Sequence, residues 1–392
     1  TTGTNNTSVG AYSLDANTTG EDNVAVGANS LDANTTGSDN VSLGTSALGA
    51  NTTASDNTAV GNRALMTNTT GHSNVATGSY ALDANTTGDN NTAVGRTALG
   101  ANTTGTNNVA TGTYALDANT TGGSNVAIGK HSLGSNTTAS NNVAVGLHSL
   151  YVNTTGAQNT AVGNYAGSSI TTASDNVFVG YDAGKQITTA SFNVAIGKNT
   201  LSTCTTGTNN VIAGINAGLS ITGNSNVALG SNTCRGTSNN TGNNNTAVGT
   251  GALGGISGGS ENTAVGCNTL NSITTANHNV AVGQGAGQNV TTGGENVAVG
   301  FGALDATTTG NLNVAIGSNA MGSSTASDRN VAVGKGALGS YTQTGDTYIV
   351  AVGYDAALNS TSAGQFVAVG GLALSSQTTA NYNVAMGYSA AA

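Results

Sequence analysis

A 17-residue repeat runs through this chain and limits how it can fold more than any other feature. The pentad Asn-Val-Ala-Val-Gly, or a close variant, begins 23 times between Asn6 and Asn383. Nineteen of the 22 intervals between these pentads are 17 residues long, and the other three are 16, 19 and 19. Self-similarity at a short fixed period predicts that each unit is one structural element stacked on its neighbours.

Each position of the repeat has its own residue type, counted from the first residue of the pentad as position 0. Positions 1 and 3 are Val, Ile, Leu or Thr with few exceptions, and position 2 is nearly always Ala. This period of two predicts a β-strand, and we expect the large side chains at positions 1 and 3 to point inward and the alanine outward. Position 4 is Gly in all 23 copies, as expected where the chain turns with positive φ. Leu at position 8 in 15 copies predicts a second short strand, and Asn-Thr-Thr-Gly predicts the return turn.

Short strands separated by turns, with no helical segment, predict an all-β fold: a parallel β-solenoid of 23 coils, mostly 17 residues per coil. We expect residues 1–392 to form a single continuous solenoid domain, with irregular coils near residues 210–245 and 330–349. Successive coils lie ~4.8 Å apart, which predicts a rod roughly 110 Å long. Asn occupies position 0 in 21 of 23 copies, so we expect a column of hydrogen-bonded amides along the solenoid.

A covariation between positions 8 and 11 supports the stacked coil. In four coils Gly replaces Leu at position 8, and the Asn at position 11 is replaced by Ile or Val. These pairs are Gly167 with Ile170, Gly184 with Ile187, Gly218 with Ile221, and Gly287 with Val290. Because an unfilled cavity of that size costs about 2–5 kcal/mol, we expect positions 8 and 11 to share one interior space. Ile273, which accompanies Leu270, does not follow this rule.

The composition excludes several classes of partner. Lys and Arg number 8 and the formal net charge is −9, so no basic surface is available for a nucleic acid. No segment approaches the ~18 apolar residues of a membrane span, and we expect no membrane insertion. The chain begins at Thr1 without an initiator Met or a signal peptide, which is typical of a processed chain or of part of a longer one.

A single solenoid of this kind has a thin core, because each coil supplies only about three large inward side chains while ordering costs ~1–2 kcal/mol per residue. We therefore expect lateral association, with three chains packed side by side against the alanine column. Neither end carries a polar capping segment, although solenoid ends normally need caps. Stacking of subunits end to end into a filament is the expected alternative to a longer chain.

The Asn-Val-Ala-Ile-Gly pentads at residues 125–129, 193–197 and 313–317, each followed by a small residue three positions after the Gly, carry a family resemblance. The repeat resembles the YadA-like head repeats of trimeric autotransporter adhesins, and it is similar to repeats in bacteriophage tail-fibre shafts. The resemblance covers nearly the whole chain. It implies a left-handed parallel β-roll, a homotrimer, and an extracellular location on a cell surface or virion. The 17-residue unit is longer than the family's because of its Asn-Thr-Thr-Gly turn.

The chain contains few reactive or ligand-binding groups, and we expect no catalytic residues, no cofactor and no metal site. Acidic side chains recur in columns, where a solvated acidic edge is favoured over a bound cation such as Ca²⁺. The members are Asp22, Asp39 and Asp56 at position 16, and Asp15 and Asp32 at position 9. Position 6 holds aromatic and imidazole rings that form a candidate surface-contact column. Its members are Tyr12, Tyr80, Tyr114, His131, His148 and Tyr165.

The histidines, the Asn-Thr-Thr turns and the cysteines are three smaller features of the sequence. His131 and His148 lie in adjacent coils and could share a metal, but we expect them to be polar surface residues, since no third ligand is evident. The Asn-Thr-Thr turns are formal N-glycosylation acceptors, although turn propensity alone explains them. Cys204, Cys234 and Cys267 fall in different columns, so a disulfide within the chain is not expected.

Three functions follow as hypotheses. The first is a structural, non-enzymatic extracellular fibre, acting as an adhesin head or shaft or as a phage tail-fibre shaft, with itself and a host-surface glycan or protein receptor as partners. The second is an ice-binding solenoid, since Thr columns repeat at ~4.8 Å. The third is a polysaccharide depolymerase tailspike, which would need two converging carboxylates.

Overall fold

The computed structural model describes residues 2–236, 240–362, 364–379 and 381–391. The chain divides into two compact units, Thr1–Asn193 and Val194–Ala392. Each unit is an all-β parallel solenoid, and none of the described residues lies in a helix. The predicted fold class is therefore confirmed for each unit.

The first unit contains eleven three-residue strands, and each of the first ten pairs in parallel with the next strand along the chain. The register places each residue opposite the residue one repeat later, for example Val24 opposite Val41. The strands are β1 (Thr7–Val9), β2 (Val24–Val26), β3 (Val41–Leu43), β4 (Thr58–Val60), β5 (Val75–Thr77), β6 (Thr92–Val94), β7 (Val109–Thr111), β8 (Val126–Ile128), β9 (Val143–Val145), β10 (Thr160–Val162) and β11 (Val177–Val179).

The second unit continues the same pattern with twelve three-residue strands and two shorter ones. Its strands are β12 (Val194–Ile196), β13 (Val211–Ala213), β14 (Val227–Leu229), β15 (Thr246–Val248), β16 (Thr263–Val265), β17 (Val280–Val282), β18 (Val297–Val299), β19 (Val314–Ile316), β20 (Ser327–Asp328), β21 (Val331–Val333), β22 (Gly345–Asp346), β23 (Val350–Val352), β24 (Val367–Val369) and β25 (Val384–Met386). The irregular intervals leave the register intact, since β13 pairs with β14 and β14 with β15 at equivalent positions.

The alternation within each strand is inverted relative to our expectation. Ala25 and Ala127, at position 2, are fully buried, whereas Val26 and Ile128, at position 3, expose 37% and 41% of their surface. The prediction that positions 1 and 3 face inward was therefore wrong. The reason is volume: where the coil interior already holds the position-8 leucine and two asparagine side chains, it has room for only a small side chain at position 2, such as Ala25 or Ser42.

The segment after the glycine corner is a series of turns, not the second strand that we expected. Positions 6 and 8 adopt left-handed conformations, with φ of 55° at Asn29 and 52° at Leu31. The Asn29 N–H donates to the Ala11 carbonyl of the preceding coil (2.9 Å), and the Leu31 N–H donates to the Ala47 carbonyl of the following coil (3.0 Å). The two N–H groups thus point to the preceding and to the following coil, and these hydrogen bonds join neighbouring coils without an extended strand. The inward position of the leucine is confirmed, since Leu31 is fully buried.

Two columns of buried asparagine amides run along the coils. In the first, at position 0, Asn23 Nδ2 donates to Asn6 Oδ1 at 3.1 Å, which confirms the predicted amide ladder. In the second, at position 11, Asn34 Nδ2 donates to Asn17 Oδ1 at 3.0 Å. The carbonyl of Gly37 accepts from both Asn23 Nδ2 and Asn34 Nδ2, each at 2.9 Å. In the coils that carry both columns, up to Asn153, the two asparagines therefore close the coil across its interior, a role that the prediction of a turn at position 11 did not include.

The volume exchange between positions 8 and 11 is confirmed for two of its four pairs, Gly218 with Ile221 and Gly287 with Val290. A Cβ atom added to Gly218 would lie 3.0 Å from Ile221 Cδ1, and one added to Gly287 would lie 3.4 Å from Val290 Cγ2. Leu270 Cδ2 lies 2.8 Å from that same Gly287 position. The Leu270 side chain thus extends into the neighbouring coil, which explains how Ile273 fits beside it.

A third position contributes to this exchange. Phe178 replaces the usual alanine at position 2 and is fully buried. A Cβ atom on Gly184 would lie 2.5 Å from Phe178 Cδ1, and one on Gly167 would lie 2.8 Å from Phe178 Cδ2. The phenylalanine ring therefore fills the space that two missing leucines leave.

The two long intervals differ in how they are accommodated. In the first, residues 237–239 lie outside the described part of the chain, and Ile221 forms a parallel bridge with Asn240. In the second, β22 pairs in parallel with β20, and Tyr341 is fully buried at position 11. The second insertion is therefore tied to the solenoid by its own short ladder.

Candidate functional site

The most extensive surface feature is an aliphatic stripe, which we define as the side chains at positions 1 and 3 of the three-residue strands in each unit. Position 1 is Val in 17 strands and Thr in the other 6. Position 3 is Val, Ile, Leu, Thr, Ala or Met in every strand. The stripe therefore contains no charged residue over eleven strands in the first unit and twelve in the second.

The stripe is substantially exposed to solvent. Its large hydrophobic members that expose more than about a third of their surface are, in the first unit, Val9, Val26, Leu43, Val60, Val75, Val94, Ile128, Val162 and Val179, and, in the second, Ile196, Val211, Leu229, Val265, Val280, Val282, Ile316, Val384 and Met386. Soluble monomers rarely expose a contiguous apolar surface of this kind, and such surfaces commonly mark interaction sites. The side chains of the stripe repeat at the coil spacing of ~4.8 Å. Two copies therefore have the same repeat distance along their stripes and can pack against each other side chain by side chain.

A second feature is the aromatic ridge in the first unit. We define it as Tyr114, His131, His148, Tyr151, Tyr165 and Tyr181. Tyr114 and His131 are stacked with centroids 5.1 Å apart and ring planes within 5°. His148 stacks on Tyr151 at 4.8 Å and meets the edges of His131 at 5.3 Å and Tyr165 at 5.4 Å.

The ridge unites four of the six rings predicted from the position-6 column. Tyr12 and Tyr80 stand apart from it: Tyr80 packs under the Arg63 guanidinium at 5.1 Å, and Thr97 occupies the intervening position. Sequence reasoning missed Tyr151, at position 9, and Tyr181, at position 5. Positions 5 and 9 lie on either side of position 6 in the same corner of the coil, so aromatic residues at these positions could have been included in the prediction.

Charged groups surround the ridge. Lys185 Nζ lies 5.3 Å from the Tyr165 ring centroid and 3.1 Å from Asp182 Oδ2. Burial lowers the pKa of His148, and the nearby charges of His131 and Lys130 lower it further. Because the inner ring faces are already covered by one another, the ridge presents ring edges, hydroxyl groups and imidazole nitrogens to a partner.

The described residues contain no group of three or more His, Cys, Asp or Glu side chains arranged to hold a metal ion. Asp22, Asp39 and Asp56 are exposed and adopt φ of 54°, 58° and 62°, a conformation that Asp tolerates better than most residues. The acidic column therefore occupies the left-handed corner of the return turn.

The Asn-Thr-Thr turns have a structural role in the coil. The position-11 asparagines Asn34 and Asn102 are fully buried, and the Thr35 hydroxyl donates to the Thr52 carbonyl at 3.0 Å. The amide nitrogen of each such asparagine is thus inaccessible in the folded coil. The exposed hydroxyl belongs to the next threonine, at position 13.

The cysteines differ in environment, and no disulfide forms among the described residues, which include all three. Burial raises the pKa of the Cys204 thiol to about 11 and that of the Cys234 thiol to about 12. Cys267 is exposed.

The sequence matches no protein-family model and no curated protein at a significant level. Among the described residues, no helix is long and apolar enough to cross a membrane.

Proposed function

We propose that this protein is a structural, non-enzymatic fibre component whose copies assemble side by side through the aliphatic stripe. The β-solenoid fold is compatible with a fibre-like structural protein. The observation that carries the proposal is the uncharged, exposed stripe, because burying it removes a large apolar area from water. The alanine column that we first expected at the interface is buried inside each coil and is not available for this contact.

Three copies form the proposed assembly, and its proposed location is extracellular, on a cell surface or a virion. The resemblance to the head repeats of trimeric adhesins and to tail-fibre shafts supports both points. Stacking of coils end to end into a filament is part of the same proposal. In an adhesin or tail fibre, the surfaces outside the stripe would meet a host glycan or protein receptor, and the aromatic ridge is one such surface.

We propose no catalytic role for the carboxyl groups that burial perturbs, although Asp305 shares its cavity with a second carboxylate, Asp355. Desolvation raises the pKa of Asp83, Asp117 and Asp305, and all three occupy position 9 of non-adjacent coils. A glycosidase needs two carboxyls facing one bond. Incubation of the purified protein with surface polysaccharides, followed by measurement of new reducing ends, tests this point, and any turnover would contradict it.

One observation favours the second candidate, an ice-binding solenoid. Threonine occupies position 13 in all eleven Asn-Thr-Thr or Ile-Thr-Thr turns of the first unit, from Thr19 to Thr189, and each of these is exposed. The adjacent position-12 hydroxyls already donate hydrogen bonds to the next coil, as the Thr35 hydroxyl does. Only the position-13 column of threonine hydroxyls is therefore left to contact ice. A thermal-hysteresis assay distinguishes the two functions, because a fibre has no effect on ice growth.

Sedimentation equilibrium of the full chain tests the assembly. We expect a mass three times the chain mass of 37.8 kDa, or a whole multiple of that trimer mass where trimers also stack end to end. The double variant Val126→Lys/Val143→Lys places charges in the stripe and should lower that mass. The matched control Thr138→Lys/Thr155→Lys places the same charges at exposed turns of the same two coils and should leave the mass unchanged. A wild-type monomer, or a stripe variant that assembles like the wild type, would contradict the proposal.

A further inference from the structure

The second unit has a hollow at the coil corner where the first unit carries its aromatic ridge. Position 6 is Gly at residues 285, 302 and 336, so no side chain covers the backbone there. Two cavities of about 150 Å³ and about 410 Å³ open at this corner, and both are lined by Gly302, Asp305 and Asn319. The shared wall makes them consecutive parts of one groove, which we name the Phe301 groove after the aromatic residue at its smaller end.

An aromatic ring and amide groups line the smaller cavity. Phe301 exposes 58% of its surface and lies beside Gln284, Gln288 and Asn319. A large apolar ring left in water has no folding benefit, whereas it offers a flat face to a ligand. Amide side chains both donate and accept hydrogen bonds, so the cavity combines one apolar face with polar groups of both kinds.

Asp305 stands between the two cavities with an unused acceptor. Its Oδ1 atom is buried, and no described residue donates a hydrogen bond to it. Leaving a buried acceptor unpaired costs about 1–3 kcal/mol, more when it is charged. Asp305 as a whole is only half-buried, so its other carboxylate oxygen is the one that a donor in the groove reaches. Burial also raises the pKa of this carboxyl, the direction expected for an acceptor without a donor.

The glycine at position 302 keeps the groove open. Asn319 Oδ1 lies 2.6 Å from the position that a Cβ atom of Gly302 would occupy. Any side chain at this residue would therefore displace the Asn319 amide and enter the space beside Asp305. The left-handed φ of 60° at Gly302 is matched by φ of 54° at Asn319, which occupies position 6 of the next coil, so asparagine is compatible with the backbone here.

The charges of the groove select against acidic ligands. The larger cavity contains Lys335 and Asp355, which offset one another, while Asp305 contributes a carboxylate to both cavities. A ligand that supplies hydroxyl donors without a negative charge fits this arrangement, and a phosphate or carboxylate does not.

We propose that the Phe301 groove binds a neutral oligosaccharide, with one sugar ring against Phe301 and a hydroxyl group donating to Asp305. The adjacent amides of Gln288 and Asn319 then bind neighbouring hydroxyls. This assigns a ligand class to the adhesive role in the proposed function. The groove lies in columns different from those of the aliphatic stripe, so saccharide binding does not require that the stripe be the assembly surface.

Saturation-transfer NMR on the full chain tests this inference with maltotriose, cellotriose and mannotriose as neutral probes and 3′-sialyllactose as an acidic one. We expect transfer to at least one neutral trisaccharide, and a loss of at least ten-fold in affinity for Phe301→Ala and for Asp305→Ala. Gly302→Asn should block binding by filling the groove while retaining the fold. Tyr382→Ala removes another exposed ring of the same unit, outside the groove, and should bind as the wild type does.

The outcomes separate this inference from the fibre proposal, because the mass of each sample is measured by sedimentation alongside its binding. Binding that is lost in the three groove variants and kept in Tyr382→Ala supports the groove, whatever the mass. No transfer to any neutral probe, transfer to 3′-sialyllactose alone, or equal binding by Gly302→Asn and the wild type would overturn it. Circular dichroism and thermal midpoints show whether each variant is folded. If Asp305→Ala does not fold, Gly302→Asn still tests whether the groove binds the saccharide.

Discussion

Asn153 and Ile170 occupy the same position in adjacent coils, and the change from amide to hydrocarbon ends the second asparagine column. Asn153 Nδ2 donates to Gly156 O at 2.8 Å and to Asn136 Oδ1 at 3.3 Å. Its own Oδ1 is buried, and no described residue donates to it. The column therefore carries an unpaired acceptor at its end, because the hydrocarbon side chain of Ile170 replaces the next amide donor.

The position of an asparagine within the column should determine how much its removal costs. Asn119 donates to Asn102 Oδ1 at 2.8 Å and accepts from Asn136 Nδ2 at 2.8 Å, whereas Asn153 accepts from no described residue. We expect Asn119→Ala to lower the free energy of unfolding by about 1–3 kcal/mol more than Asn153→Ala, since it breaks an additional buried hydrogen bond. Guanidinium unfolding of the two variants measures the difference. Equal destabilisation would contradict the role of the column.

Phe178 and Gly184 should be strongly coupled, because the ring occupies the place of a side chain at residue 184. We expect Gly184→Ala to destabilise the wild type by about 1–3 kcal/mol through overpacking. In the Phe178→Ala background the same substitution should cost less, because the ring is gone. A double-mutant cycle measures this coupling.

Gly345→Ala serves as the control for this cycle. Gly345 has φ of 78°, and a Cβ atom there would meet nothing within 4 Å, so this variant reports backbone strain alone. If Gly184→Ala costs no more than Gly345→Ala in the wild type, the steric explanation fails.

The sequence predicted the period, the strand positions, the glycine corner, the inward leucine and the first amide column. It did not predict which strand face is buried, because Val26 and Ala25 are both apolar and alternation alone does not give the phase. The interior volume decides the phase, and it is set by the asparagines Asn23 and Asn34, whose polar side chains suggest exposure. The position-6 column predicted four of the six residues of the aromatic ridge. The Phe301 groove was missed, since a hollow arises from a side chain that Gly302 lacks.

The three cysteines should differ in reactivity toward a thiol reagent. At pH 8, pKa values of about 11 for Cys204 and about 12 for Cys234 leave only about 0.1% and 0.01% of these groups as thiolate. Burial also blocks access to both. We expect Ellman's reagent to titrate one thiol in the native protein and three in denaturant, and Cys267→Ser to abolish the native reaction. A second thiol reacting as fast as Cys267 would show that a buried coil opens readily.

The stability of the first unit should fall on acidification because of His148. Its pKa is lowered in the fold by burial and by the charges of His131 and Lys130, so the unfolded chain binds the proton more readily. The free energy of unfolding therefore rises with pH between the folded pKa and about 6.5, the ordinary value, and is lost as pH falls through that window. The rings of Tyr151 and Tyr165 also pack against His148.

His148→Asn should reduce this loss, because asparagine does not titrate and tolerates the left-handed φ of 54° at this residue. Thermal midpoints at pH 7.5 and pH 5.0 give the measurement. His72→Ser is the matched control: His72 is exposed and outside the ridge, and serine occupies its position in neighbouring coils, where the Ser55 hydroxyl accepts from the Ser38 N–H at 3.0 Å. We expect the control to keep the acid-induced fall of the wild type. An equal fall in His148→Asn would show that another group is responsible.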